Sequence, residues 1–137
     1  MKIVAIVQAR LGSKRFPKKI FQKINNMPLI EILMKRVLQV DELDKVVLAT
    51  SDREIDAPLS NFAYQLGYEI FKGSEDDVLD RIYNAAKYHQ ADIVVRITGD
   101  CPFVDKELVS KVIQNYKLSK VDYSSNTNPP TFPDGLD

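Results

Sequence analysis

Cysteine and histidine are nearly missing from this chain. One cysteine in 137 residues excludes a disulfide framework within it and cannot alone build a zinc site, and a single histidine further weakens the common metal clusters. A reducing, cytoplasmic setting is the default expectation. A net charge is absent as well: nineteen Lys plus Arg balance nineteen Asp plus Glu, so no global field draws the chain to nucleic acid or to a membrane surface. No apolar run approaches the roughly 18 residues of a spanning helix. Met1-Lys2 leads only into Ile3 to Val7 before Gln8, which is too short for a secretory signal. With 45% apolar and 28% charged residues, the 137 residues fit one soluble globular domain, and disorder is not expected.

The neutral total hides an asymmetry. The first thirty residues hold seven basic side chains and no acidic one, and six of these, Arg10, Lys14, Arg15, Lys18, Lys19 and Lys23, follow the first apolar run.

Short β-branched or aromatic runs at Ile3 to Val7, Val46 to Ala49, Glu69 to Phe71 and Ile93 to Ile97 read as strands buried in a sheet. Amphipathic helices fall between them. The first carries Leu29, Ile32, Leu33, Val37 and Val40 behind Pro28, a residue suited to a first helical turn. The second carries Ile55, Leu59, Phe62, Ala63 and Leu66, with Gly67 as a left-handed stop. Ser74 and Asp77 resemble a capping box before Val78, Leu79, Ile82, Tyr83 and Ala86. Asp105 is the expected cap of a helix burying Leu108, Val109, Val112, Ile113 and Tyr116. Aromatic residues on these helices are core by default. Four strand-helix alternations with right-handed crossovers give an α/β fold, a parallel sheet covered on both faces. The expected strand order is 3-2-1-4, with the switch point and the ligand crevice between strands one and four. The tail from Ser124 to Gly135 is turn chemistry, read as a lid over the crevice or, preferably, as the end of a fragment whose continuation would extend the sheet.

Two loops should face each other across that crevice. The first, Gln8-Ala9-Arg10-Leu11-Gly12-Ser13-Lys14-Arg15-Phe16-Pro17-Lys18-Lys19, sets small residues among cations, a composition suited to a polyphosphate or to a merely solvated basic loop. It matches neither the Walker A loop nor the three-glycine dinucleotide fingerprint. The second runs Thr98-Gly99-Asp100-Cys101-Pro102, where Asp100 either aims a carboxylate at Mg²⁺ shared with phosphate oxygens or only organises the turn. Thr50-Ser51-Asp52 and Gly73-Ser74 end the second and third strands at the same edge, as base or ribose contacts or as helix caps. Asp80-Arg81 is mid-helix, where a surface pair is the ordinary explanation. Cys101 has no histidine nearby in sequence, since His89 lies near a helix end, and a small buried thiol is its expected role. Nucleic-acid binding is disfavoured because the basic loop has no aromatic interleaving beyond Phe16.

Together, the Gln8 to Lys19 loop, the Gly99-Asp100-Cys101-Pro102 turn and the Ser125-Asn126-Thr127 to Asp137 tail resemble the cytidylyltransferase family of spore coat polysaccharide biosynthesis protein F. That family is similar to the synthetases of CMP-3-deoxy-manno-octulosonate and CMP-acylneuraminate. The resemblance implies a three-layer Rossmann-like nucleotide-diphospho-sugar transferase fold, mostly parallel and cut short at its C-terminal end. It implies transfer of CMP from CTP to a sugar or sugar acid, with Mg²⁺ as cofactor, no nucleic-acid or membrane partner, and a homodimer as an option. By the same resemblance Ala9, Arg10, Ser13, Arg15 and Lys19 match the nucleotide and triphosphate loop, with Gln8, Leu11 and Gly12 in the same run. Arg10, Arg15, Lys19 and Asp100 would be the catalytic set, with Asp100 as metal ligand. Thr50, Ser51, Asp52, Gly73 and Arg81 look like the base and ribose side, and Thr98 and Gly99 flank the metal ligand. Lys18 departs from the pattern, standing where the loop usually has Gly, which puts tight phosphate contact there in doubt. Asp134 and Asp137 are candidates to reach the site. The competing expectation is a nucleotide-binding or regulatory module without catalysis.

Overall fold

The computed structural model describes residues 1–12, 14–15, 17–132 and 136. Strands β1 (Ile3–Gln8), β4 (Lys45–Ser51), β5 (Glu69–Gly73) and β6 (Ile93–Thr98) form one parallel sheet in the order β5-β4-β1-β6. This is the expected order, and β1 is its centre. Val4, Ala5, Ile6 and Val7 are fully buried because both faces of β1 are covered.

Alternation along β1 sorts the two cores. Ile3, Ala5 and Val7 join Val46, Leu48, Ile93 and Ile97 beneath helices α1 (Leu29–Val37), α2 (Ala57–Gln65) and α4 (Lys106–Ser119), which contribute Leu33, Leu59 and Ile113 among others. Val4 and Ile6 join Val47 and Ala49 beneath α3 (Val78–Tyr88), through Ile82 and Ala85. Each fully buried aliphatic side chain contributes roughly 1.5–3 kcal/mol, so the central strand is the main source of cohesion. Among the described residues no helix is long and apolar enough to cross a membrane.

Several local expectations are corrected. A short antiparallel hairpin, β2 (Lys23–Ile24) with β3 (Met27–Pro28), precedes α1, turned by Asn25 and Asn26 at φ 49° and 66°. Asparagine tolerates this left-handed backbone, and the Asn-Asn pair was its sequence signal. Pro28 is therefore extended, at ψ 145°, and α1 begins at Leu29 with Ile30, Leu33, Met34 and Val37 inward. Gly67 does stop α2, at φ 78°, but Ile55 and Leu66 are exposed. Helix α3 starts at Val78, capped by Asp77, whose carboxylate accepts the Asp80 N–H, while the Ser74 hydroxyl accepts the Asp77 N–H one turn earlier. Its inward face carries Arg81, Ile82 and Ala85, leaving Leu79 and Tyr83 exposed. Tyr64, Tyr88, Phe103 and Tyr123 are exposed too, so aromatic residues are not core here by default. Asp105 caps α4 as expected, accepting from Glu107 and Leu108 N–H.

Strand β6 is an edge of the four-stranded sheet rather than a strand buried on all sides, and its Val94 and Arg96 are exposed. Tail residues Asp122 to Thr127 line a groove of about 630 Å³ beside it, and no described tail residue lines the crevice at the switch point.

At the opposite end of the sheet His89 caps α3 as a buried ring packed edge-on against Tyr88, its Nε2 without a hydrogen bond. Burial lowers its pKa, Lys45 and Lys2 act in the same direction, and Glu69 opposes them. A folded-state pKa below the unfolded value stabilises the fold above about pH 6.5, and that stability is lost as the pH falls through the folded value. Urea unfolding of the wild type should therefore weaken between about pH 7 and pH 5.5, and His89→Gln should show a smaller loss over the same interval. An unchanged loss in the variant would remove His89 as its source.

Candidate active site at the switch point

The loop after β1 is pinned from below. Ala9 N–H donates to Ala49 O at 3.1 Å, Lys18 N–H to Leu11 O at 3.3 Å, and Leu11 N–H to Asp56 Oδ1 at 2.6 Å. Leu11 is itself buried in the core, so it anchors the loop rather than lining the crevice. Asp56 is completely buried, and its other oxygen accepts the Ser51 hydroxyl. One carboxylate thus joins the basic loop to the end of β4.

That arrangement corrects the expectation for Thr50 and Ser51. Both side chains are buried, Ser51 serving Asp56 and also accepting the Arg53 N–H, so neither lines the crevice. Asp52 is exposed and its N–H donates to Gly73 O at 2.9 Å, tying the β4 and β5 loops together. Gly73 makes room for Arg81: a Cβ there would stand 3.0 Å from the Phe71 ring and 3.1 Å from Arg81 Cγ. Gly12 lies beside Glu75 and does not line the cleft. Ser13, Phe16, Asp134 and Asp137 lie outside the described residues.

Arg81 is not a surface pair but 2% exposed, with Nη1 donating to Ser74 O at 2.8 Å and Nε without a hydrogen bond. Burial lowers its pKa, Arg10 acts likewise, and Asp56 and Glu75 oppose. Its side chain fixes the segment between β5 and α3, and its outer end reaches the crevice wall.

Gly99 closes the other side. Its N–H donates to Gln8 O at 2.7 Å, and a Cβ on it would stand 2.6 Å from that oxygen and 2.7 Å from Ala9 Cβ. Only glycine lets the two loops approach this closely. Cys101 is buried, as expected, with Sγ 3.1 Å from Thr98 Oγ1 and 3.7 Å from Asp100 Oδ1. Asp100 turns outward, its side chain 60% exposed, with Oδ2 3.8 Å from Lys19 Nζ.

The resulting open cleft, about 770 Å³, is lined by Gln8, Ala9, Arg10, Arg15, Lys19, Arg81, Thr98, Gly99 and Asp100, and also by Ile20, Glu75, Asp76 and Val78. Four cations and three carboxylates therefore share one cavity. Sequence reasoning missed Glu75 and Asp56. Glu75 belongs to an acidic run whose members look alike, and Asp56 looks like an ordinary helix-start acid. Lys18 takes φ 56°, ψ 24°, the left-handed conformation for which glycine is suited, at the position where the resemblance expects glycine.

The sequence model of the cytidylyltransferase family matches residues 4–134, and the chain belongs to that family. It is 38% identical over 132 residues to the spore coat polysaccharide biosynthesis protein SpsF of Bacillus subtilis, covering 93% of this chain and 55% of that protein. A solved cytidylyltransferase of Leptospira borgpetersenii superposes with a TM-score of 0.92 at 30% identity, covering 100% of this chain and 58% of that one. A solved CMP:2-keto-3-deoxy-manno-octonic acid synthetase complexed with CTP superposes with a TM-score of 0.73 at 26% identity, covering 88% and 49%. The chain spans about half the length of the curated relatives it matches.

The Gly99 contact yields a direct test of how the cleft is built. Gly99→Ala must push the β1 and β6 loops apart and should cost about 1–3 kcal/mol in urea unfolding with an unchanged m value. Wild-type stability in this variant would show that the loops do not depend on their close approach.

Proposed function

We propose that this chain is the nucleotide-binding part of a sugar cytidylyltransferase, in which a sugar or sugar-acid oxygen attacks the α-phosphorus of CTP and pyrophosphate leaves. The observation that carries this reading is the convergence of Arg10, Arg15 and Lys19 with Asp100 in one cleft at the sheet's switch point. Charge in such a transfer develops on phosphate oxygens, so positioning and electrostatic stabilisation matter more than a protein nucleophile. CTP as donor is supported by the family and by the CTP-bound relative. A sugar acid destined for a surface polysaccharide is suggested by the names of the relatives.

Asp100 fits the Mg²⁺ that the family implies. Among the described residues no group of three or more His, Cys, Asp or Glu could cage a metal, and an outward carboxylate suits an ion that takes its other ligands from phosphates and water. When bound, Mg²⁺ would neutralise phosphate charge and polarise the α-phosphoryl group. Arg10, Arg15 and Lys19 would hold the triphosphate and stabilise the departing pyrophosphate. Lys19, 3.8 Å from Asp100, would neutralise that carboxylate and shift to phosphate as the nucleotide enters. Gln8, Ala9 and Gly99, packed backbone against backbone, would form the floor on which the phosphates rest. The second reading is a module that binds nucleotide without transfer. It predicts binding with no pyrophosphate release.

Release of pyrophosphate from CTP with a 2-keto-3-deoxy sugar acid tests the leading reading. Asp100→Asn should lower turnover by about a hundredfold or more, a much larger loss than in nucleotide affinity. Arg15→Ala should weaken triphosphate binding more than monophosphate binding. Full activity of the first variant removes the metal assignment, and equal losses in the second remove the triphosphate role of Arg15.

A further inference from the structure

Glu75 has no part in the transfer described above, yet it lies among the cations. Its side chain is only 17% exposed, with Oε1 3.8 Å from Arg10 Nη1 and Oε2 2.8 Å from Arg53 Nη1. Oε1 also lies 3.5 Å from where a Cβ on Gly12 would stand, so the carboxylate sits against the basic loop. An anion entering the cleft therefore meets Arg10 already facing a glutamate oxygen. The two contacts are unequal. Arg53, whose side chain is 63% exposed and does not line the cleft, holds Glu75 closely, while Arg10, 47% exposed, is at the edge of pairing distance.

From this geometry we propose that Glu75 is an internal counter-ion of the anion cradle, which gives up Arg10 to an entering polyphosphate while Arg53 retains it. The inference rests on the cleft being a polyphosphate site and assigns Glu75 as a positioning residue that tunes affinity. Without a carboxylate at 75 the basic loop would be left with unbalanced charge, as Arg10 and Arg81 already repel each other. With it, an anion must compete, so weak or small anions are rejected more strongly than a triphosphate that reaches several cations at once. Arg53 keeps the displaced carboxylate from following the ligand and repelling it.

Binding of inorganic tripolyphosphate, without metal, to the full chain reads this directly by calorimetry at several salt concentrations. Glu75→Gln keeps the size of the side chain and removes its charge. It should bind about two- to fivefold more tightly, the range expected for loss of one partly exposed competing pair, with a steeper salt dependence. Arg53→Ala should bind more weakly than wild type, because Glu75 then has Arg10 as its remaining partner, and this weakening should vanish in the Glu75→Gln background. A purely structural role would instead make Glu75→Gln bind equally or more weakly and leave the Arg53→Ala effect intact, and either result overturns the proposal. If neither wild type nor variants bind tripolyphosphate, with or without added Mg²⁺, while their thermal unfolding stays cooperative, the polyphosphate reading itself falls and the counter-ion role with it.

Discussion

A single buried carboxylate holds the site in place. Asp56 has no exposed surface, yet it accepts the Leu11 N–H of the basic loop and the Ser51 hydroxyl at the end of β4. Burying an ionised group is costly unless its oxygens are hydrogen-bonded and a cation is near, and here both conditions are met, since the field of Asp56 also favours the charged form of Arg81. The loop after β1 is thereby fixed to the end of β4 and to the start of α2, about 45 residues away in sequence. The direction in which Arg10, Arg15 and Lys19 project depends on that knot, because the described residues between Gln8 and Lys19 form no helix or strand of their own.

The other half of the cleft depends on an absence of atoms. Gly99 lets the turn after β6 sit on the backbone of Gln8 and Ala9, at the point where the sheet's connectivity reverses. Strand ends of neighbouring parallel strands diverge into a crevice at such a point, which is why ligands of open α/β sheets bind there. The chemistry proposed for this chain needs nothing more elaborate from the fold: a ring of cations, one outward carboxylate and a floor of backbone. A polyanion is recognised by charge and position.

Strand order was legible because β1, β4 and β6 are apolar on a scale that leaves little choice, and the crossover rule does the rest. On helix α3 Val78, Ile82 and Ala86 pack on the core as expected, but Leu79 and Tyr83 extend the apolar stripe past the true inward face, which spends one position on Arg81. Periodicity cannot anticipate a buried guanidinium whose partners, Ser74 O and the field of Asp56, are supplied by folding. Ser51 is buried for a related reason: a polar residue at a strand end either faces ligand or faces a buried partner, and Asp56 was not recognisable as that partner. The basic loop and the Thr98-Gly99-Asp100 turn were legible because small and charged residues alternate there with no apolar stripe to explain them. Their membership in the cytidylyltransferase family agrees with the residues that carried the resemblance.

The central claim is that this cleft takes a nucleoside triphosphate with a divalent ion, and thermal unfolding of the chain with CTP, UTP, ATP and GTP, each with and without Mg²⁺, tests it most directly. A ligand that binds only the folded state raises the melting temperature by mass action. The account predicts a rise that is largest for CTP and depends on Mg²⁺. No rise with any nucleotide, or the same rise with all four whether or not Mg²⁺ is added, would contradict it.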